Sequence, residues 1–95
     1  MAAWQSKSTD ELCEALTLLK TKEEFYAFLD DVCSIKEFLD ISQRLSVAKL
    51  IKDGVSYNNI TKQTGASAAT ISRVRKCLDY GSGGYNLVFE RKEKN

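Results

Sequence analysis

The segment from Ile35 to about Lys52 constrains the fold more than any other part of the chain, because it is apolar on several sides. Ser34 and Glu37 have the spacing of a capping box, which predicts the start of a helix. The apolar positions that follow are Phe38, Leu39, Ile41, Leu45, Val47, Ala48, Leu50 and Ile51. They occupy more of the helix circumference than one core-facing stripe requires. The segment is therefore predicted to be a helix that must be covered on several sides.

The length of the chain limits how this helix can be covered. A chain of 95 residues buries only a modest core, and oligomerisation is a common remedy at this size. We interpret the segment as the central helix of the core and also as the spine of a homodimer.

Two helical patterns precede the central segment. In STDELCEALTLLK, Ser8 or Thr9 is the predicted N-cap. One face of that helix carries Leu12, Leu16 and Leu19. Thr21 and Glu24 form another capping-box pair. The apolar stripe of the second helix then follows at Phe25, Phe28, Leu29 and Val32.

Two short helices are predicted after the central one. Gly54 ends the central helix, and the next helix runs from a cap at Ser56 to about residue 64. Gly65 turns the chain, and Ser67 caps a further helix that runs to about residue 78. No segment shows sustained alternation of apolar and polar residues, so the fold class is predicted to be all-α.

The C-terminal part of the chain departs from the helical pattern at GSGGY, residues 81–85. Leu87, Val88 and Phe89 are candidates for docking on the body, and the last five residues are expected to fray. We expect one domain over residues 1–95. Its parts are a helical dimerisation core at 9–53, a helix-turn-helix at 56–78, and a glycine hinge with a C-terminal tail at 79–95.

Composition excludes several classes of function. The chain has no histidine, which rules out Ser-His-Asp and Cys-His nucleophiles and any His-ligated metal. The three cysteines are widely spaced without a CxxC pair, so neither a disulfide framework nor a zinc site is expected. We expect no cofactor and no enzymatic activity. No apolar run is long enough for a membrane helix, and the polar N-terminus does not resemble a signal peptide, so a cytoplasmic location is expected.

Positive charge is concentrated in one part of the chain. Residues 1–53 contain seven basic and ten acidic residues, a net charge of −3. Residues 54–78 contain four basic residues and no acidic one, a net charge of +4, and residues 79–95 sum to zero. Such segregation is typical of a surface that approaches a polyanion, although four charges are a small patch.

Two short helices joined by a tight glycine turn match a helix-turn-helix, whose second helix, the recognition helix, enters the major groove of DNA. Ile60, Ala66, Ile71 and Val74 fall where the two helices would face each other and the core. The predicted DNA-binding residues are Lys62, Ser67, Ala68, Ala69, Thr70, Ser72, Arg73, Arg75 and Lys76.

The chemistry of these residues suits DNA. Small alanines let the backbone approach base edges, and hydroxyl groups can hydrogen-bond bases or phosphates. Each Lys or Arg displaces a condensed counterion, whereas a carboxylate there would be repelled by phosphate. Similar helix pairs also occur in plain helical bundles, so the pattern leaves a purely structural role open.

Residues 34–78, and above all TGASAATISR, resemble the tryptophan-repressor-like fold and, within it, small bacterial proteins of the YerC/YecD type. The resemblance implies an intertwined, all-helical homodimer. It also implies two recognition helices presented to a pseudo-palindromic operator, in successive major grooves ~34 Å apart.

The resemblance also implies a candidate effector pocket formed by Arg44, Arg73, Val74 and Cys77. Arg44 and Arg73 match two arginines that hold the amino acid in the tryptophan-responsive member. However, Val74 stands where that protein has a small glycine, and Cys77 replaces a polar residue. A branched side chain would fill the space of the indole ring. Tryptophan is therefore not expected to be the effector, and whether another small molecule acts stays open.

Two functions remain as hypotheses. The first is a sequence-specific, dimeric DNA-binding regulator, expected to be a repressor, whose partners are double-stranded DNA and a second copy of the chain. The second is a non-catalytic protein-interaction adaptor with a vestigial helix-turn-helix. Affinity for duplex DNA that falls steeply with salt distinguishes the first from the second.

Overall fold

The structure is a computed structural model that describes residues 2–95, and every regular element in that range is helical. The helices are α1 (Lys7–Thr17), α2 (Lys22–Val32), α3 (Ile35–Lys52), α4 (Tyr57–Thr64), α5 (Ala68–Tyr80) and α6 (Gly84–Lys94). The all-α prediction is confirmed. No helix in the described range is both long and apolar enough to span a membrane.

The chain divides into two compact units, and the boundary falls inside α3 between Phe38 and Leu39. The first unit contains α1, α2 and the first turn of α3. The second contains the remainder of α3 together with α4, α5 and α6.

Hydroxyl caps start the helices of the first unit. Ser6, not Ser8 or Thr9, is the N-cap of α1, which corrects the prediction. The Ser6 hydroxyl accepts from the Thr9 N–H at 3.3 Å, and the Thr9 hydroxyl accepts from the Ser6 N–H at 2.8 Å. Threonine thus takes the place that Glu usually has in a capping box.

Only one of the two predicted capping-box pairs forms a reciprocal box, because the Glu24 carboxylate accepts from the Lys20 N–H at 2.8 Å and not from Thr21. The Thr21 hydroxyl accepts from the Glu24 N–H at 3.1 Å. Ser34 and Glu37 form a reciprocal box: the Ser34 hydroxyl accepts at 3.1 Å, and the Glu37 carboxylate accepts from the Ser34 N–H at 2.9 Å. Neither α1 nor α2 has a fully buried residue, and the Tyr26 and Phe38 rings stack at 5.8 Å between centroids.

The core lies in the second unit and draws on every helix there. Its buried residues are Val47, Ala48, Ile51, Ile60, Ala66, Ile71, Val74 and Phe89. The four positions that the sequence placed between α4 and α5 are all in this set, and each is at most 1% exposed. The predicted packing of the helix pair is therefore confirmed.

The C-terminal residues form a helix, α6, which extends to Lys94 into the last five residues that were expected to fray. Of the three residues predicted to dock on the body, Leu87 and Val88 are 47% and 51% exposed, which corrects the prediction for those two. Phe89 is buried, and the Lys52 ammonium lies 5.2 Å from its ring centroid. Lys52 also pairs with Glu93 at 3.6 Å. Burial of the Phe89 ring, which the sequence predicted, stabilises α6 by a tertiary contact.

The GSGG sequence interrupts the helices only briefly. A Cβ at Gly81 would collide with the carbonyl oxygen of Cys77, which already accepts the Gly81 N–H at 2.8 Å. Glycine therefore allows α5 to end at Tyr80 with this carbonyl satisfied. The chain then enters α6 within a few residues.

Candidate nucleic-acid interface

The turn between α4 and α5 is held by a compact set of hydrogen bonds. Gly65 has φ 75° and its N–H donates to the Thr61 carbonyl at 2.8 Å. The Thr64 hydroxyl donates to the Ile60 carbonyl at 2.7 Å and accepts from the Ala66 N–H at 3.1 Å. The left-handed φ favours glycine here, as the sequence predicted.

A side chain from α3 braces the same turn. The Gln43 amide donates to the Thr64 carbonyl at 3.0 Å, across 21 positions of sequence. This long-range bond fixes the start of α5 relative to α3. Sequence patterns gave no signal for Gln43, because its role depends on the tertiary fold.

The N-terminus of α5 is capped and open to solvent. The Ser67 hydroxyl accepts from the Thr70 N–H at 3.1 Å and lies 3.1 Å from the Thr70 hydroxyl. The N–H groups of Ala68 and Ala69 have no acceptor within the helix, as at any helix start. Both alanines are exposed, so a phosphate or a base edge can approach these donors.

The outward face of α5 carries polar and basic side chains. Ile71 and Val74 face the core, and each further residue advances about 100° around the helix. Ala69, Arg73 and Lys76 therefore point away from the core. Of the predicted DNA-binding residues, the exposed ones are Lys62, Ser67, Ala68, Ala69, Ser72, Arg73, Arg75 and Lys76, while Thr70 is half-buried.

Arg75 differs electrostatically from the other basic residues of this region. Its Nε donates to Asp79 Oδ2 at 3.0 Å, and this hydrogen bond together with the carboxylate charge raises the pKa of Arg75 above its usual value. Within residues 2–95, Lys62, Arg73 and Lys76 have no such carboxylate partner. Asp79 was missed because the segment without acidic residues, 54–78, ends one residue before it, although its spacing of four from Arg75 indicates the pair.

The structure brings together only part of the candidate effector pocket. Arg44 and Cys77 line a groove of about 520 Å³ together with the 81–84 loop, but Arg73 and Val74 do not contribute to it. Val74 lies in the core and is 1% exposed. Among residues 2–95, no three His, Cys, Asp or Glu side chains are grouped as a metal site requires.

The helix pair and its basic face lie within a chain that matches a known family almost end to end. The family model described as Trp repressor protein matches residues 7–93. The chain belongs to the Trp repressor family.

Other bacterial proteins are similar to this Trp repressor family chain in sequence and in structure. It is 44% identical over 87 residues to YerC of Bacillus subtilis (strain 168), an uncharacterized protein, covering 92% of this chain and 84% of YerC. The crystal structure of a TrpR like protein from Eubacterium eligens matches with a TM-score of 0.91 and 45% identity, over 94% of this chain and 92% of that one. A structure from Staphylococcus aureus matches with a TM-score of 0.90 and 43% identity, over 94% and 89% of the two chains.

Proposed function

We propose that this Trp repressor family protein is a dimeric, sequence-specific regulator that binds duplex DNA through α4 and α5 and has no catalytic activity. The observation that carries the proposal is the exposed face of α5, where Arg73 and Lys76 lie near two small alanines and have no carboxylate partner among residues 2–95. The family assignment supports a regulatory function.

The geometry suggests how each group would act on DNA. The open N–H groups at the start of α5 would donate to phosphate or approach base edges, with Ala68 and Ala69 offering methyl contacts to thymine. Ser72 would hydrogen-bond a base or a phosphate. Arg73 and Lys76, with Lys62 from α4, would neutralise phosphates. Thr70 would have to exchange its hydroxyl bond to Ser67 for a contact with DNA.

Exposed apolar side chains support the dimer. In the first unit Leu18 is 75% exposed and Ile35 72%, and in the second unit Leu39 is 62% exposed. In the second unit a groove of about 790 Å³ is lined in part by Leu39, Leu45 and Val88. Leaving such surfaces in water is unfavourable, so a second copy of the chain would stabilise them. We assign residues 9–53 to this dimerisation core and 56–78 to the DNA-binding element.

We infer that the regulator does not require tryptophan. The resemblance matches Val74 to the small glycine beside the indole ring in the tryptophan-responsive member. Val74 is 1% exposed in the core, and close packing resists a further ring there. Titration of tryptophan into the purified protein by calorimetry tests this point. The expected result is no heat of binding at micromolar concentrations, and saturable micromolar binding would contradict the inference.

Selection of bound sequences from random duplexes at a stated salt concentration tests the proposed function. A pseudo-palindromic consensus is expected. Arg73→Ala and Lys76→Ala should weaken binding to all sequences, whereas changes at Ala69 or Ser72 should alter the selected consensus. Enrichment of no sequence would contradict the proposal.

The exposed apolar surface also favours a second candidate, a protein-interaction adaptor whose helix-turn-helix no longer binds DNA. This candidate predicts a stable helical dimer with no affinity for duplex DNA at any salt concentration. The selection experiment therefore separates the two functions.

A further inference from the structure

We propose that Asp79 is a positioning residue that holds Arg75 along α5 and so restrains the binding of this protein to DNA phosphates. The proposal rests on the proposed DNA-binding function. It identifies Asp79, at the C-terminal end of the recognition helix, as a determinant of how strongly the protein binds non-cognate DNA.

The contact is specific to one of the four basic residues in the region 54–78. Arg75 Nε and Asp79 Oδ2 are 3.0 Å apart, with about half of each side chain exposed. Lys62, Arg73 and Lys76 have no carboxylate partner within residues 2–95. Asp79 therefore offsets one particular guanidinium rather than the whole basic face.

Helix stability does not explain the position of Asp79. An acidic residue in the last turn of a helix lies near the negative end of the macrodipole, and α5 has no basic residue in that turn to offset it. The order Arg then Asp is also the less favourable orientation for a pair separated by four residues. The contribution of such an exposed pair to folding is small.

The pair instead affects what Arg75 can contribute to DNA binding. Only Nε of Arg75 is bonded to Asp79, but the carboxylate offsets the guanidinium charge and would itself be repelled by DNA phosphates, so Arg75 displaces less counterion than an unpaired arginine. Non-specific binding depends almost entirely on phosphate contacts. A restraint on one phosphate contact therefore lowers affinity for random DNA and leaves base contacts at the start of α5 unchanged.

The size of the effect follows from counterion release. One additional phosphate contact makes the slope of log affinity against log salt steeper by about 0.9, which is an increase of about eightfold at 0.1 M salt. For a dimer the increase applies to each of two recognition helices. Asp79→Asn should therefore bind a random duplex at least several-fold more tightly than the unmodified protein.

The chain contains a matched control for this substitution. Lys49 and Asp53 form a pair with the same spacing and the same 3.0 Å distance, and their side chains have similar exposure. Asp53→Asn changes the net charge by the same amount at the end of α3. Fluorescence anisotropy on a random duplex, from 50 to 200 mM salt, would measure the DNA affinity of four full-length variants. These are Asp79→Asn, Asp53→Asn, Arg75→Ala and the double variant Arg75→Ala, Asp79→Asn.

The expected result is tighter binding and a steeper slope for Asp79→Asn only, with both gains lost in the double variant. Thermal unfolding of Asp79→Asn should be unchanged or slightly raised. An affinity of Asp79→Asn equal to that of Asp53→Asn, or a gain that persists without Arg75, would overturn the inference while leaving the proposed function intact. Absence of DNA binding by the unmodified protein would overturn both.

Discussion

Truncation of Ile71 tests whether the contact between α4 and α5 stabilises the proposed DNA-binding element. Ile71 is fully buried in the core. In sequence it lies between the N-cap Ser67 and Arg73, which points outward. Ile71→Ala removes three carbon atoms from this contact, and Ile71→Val removes one. The pair of substitutions gives a graded perturbation at a single site.

The expected magnitude follows from burial. Each buried methylene contributes about 0.8 kcal/mol, so the transfer loss for three carbons is about 2.4 kcal/mol. The cavity left in a closely packed core adds to this, which places Ile71→Ala at about 3 kcal/mol and Ile71→Val at about 1 kcal/mol. In a domain that is stable by only about 5–15 kcal/mol, the larger change is substantial.

Urea unfolding followed by circular dichroism measures both values. Protein concentration must be held constant, because the stability of a dimer depends on it. The reasoning predicts a loss that increases from valine to alanine with an unchanged dependence on urea. Losses below about 0.5 kcal/mol for both variants would show that Ile71 is not packed as described.

Three further predictions follow from the structure. Gly81→Ala should lower the thermal unfolding temperature, because the new Cβ would collide with the Cys77 carbonyl. Gly84→Ala should be neutral or stabilising, because no atom lies near its Cβ. Equal effects of the two variants on thermal unfolding would refute this. Leu45→Glu places a charge on the exposed apolar surface of α3, so sedimentation should shift from dimer to monomer. An unchanged dimer would show that this surface is not the dimer interface. The Ser34 hydrogen bonds lower the pKa of Glu37 below 4.5, so its contribution to stability is present above pH 4.5 and is lost as the pH falls through the lowered value. The difference in unfolding free energy between the unmodified protein and Glu37→Gln should therefore decrease in acid, and a constant difference would contradict it.

Local sequence signals predicted the helix-turn-helix well. The Ser67 cap, the left-handed Gly65 and the buried positions Ile60 and Ile71 all follow from patterns that span only a few residues. Capping and turn chemistry depend on neighbouring residues, so the sequence indicates them well, although several hydroxyl residues close together left the cap of α1 misplaced by two residues or more. The same holds for the Ser34 and Glu37 pair at the start of α3.

Features that depend on tertiary contacts could not be predicted in the same way. The glycines at 81–84 indicated the end of helical structure, but burial of Phe89 allows α6 to form beyond them. Gln43 reaches the helix-turn-helix only because α3 packs against it. The spacing of four residues between Arg75 and Asp79 indicates this pair from the sequence alone, although Asp79 lies just outside the basic segment 54–78.

The salt dependence of duplex binding tests the central claim most directly. Three basic side chains on each DNA-binding element, Lys62, Arg73 and Lys76, lack a carboxylate partner within residues 2–95, so a dimer should make about six phosphate contacts. The account predicts a slope of log affinity against log salt of about −5, a loss of roughly a thousandfold between 50 and 200 mM salt. Affinity that is absent, or that does not change over this range, would contradict it.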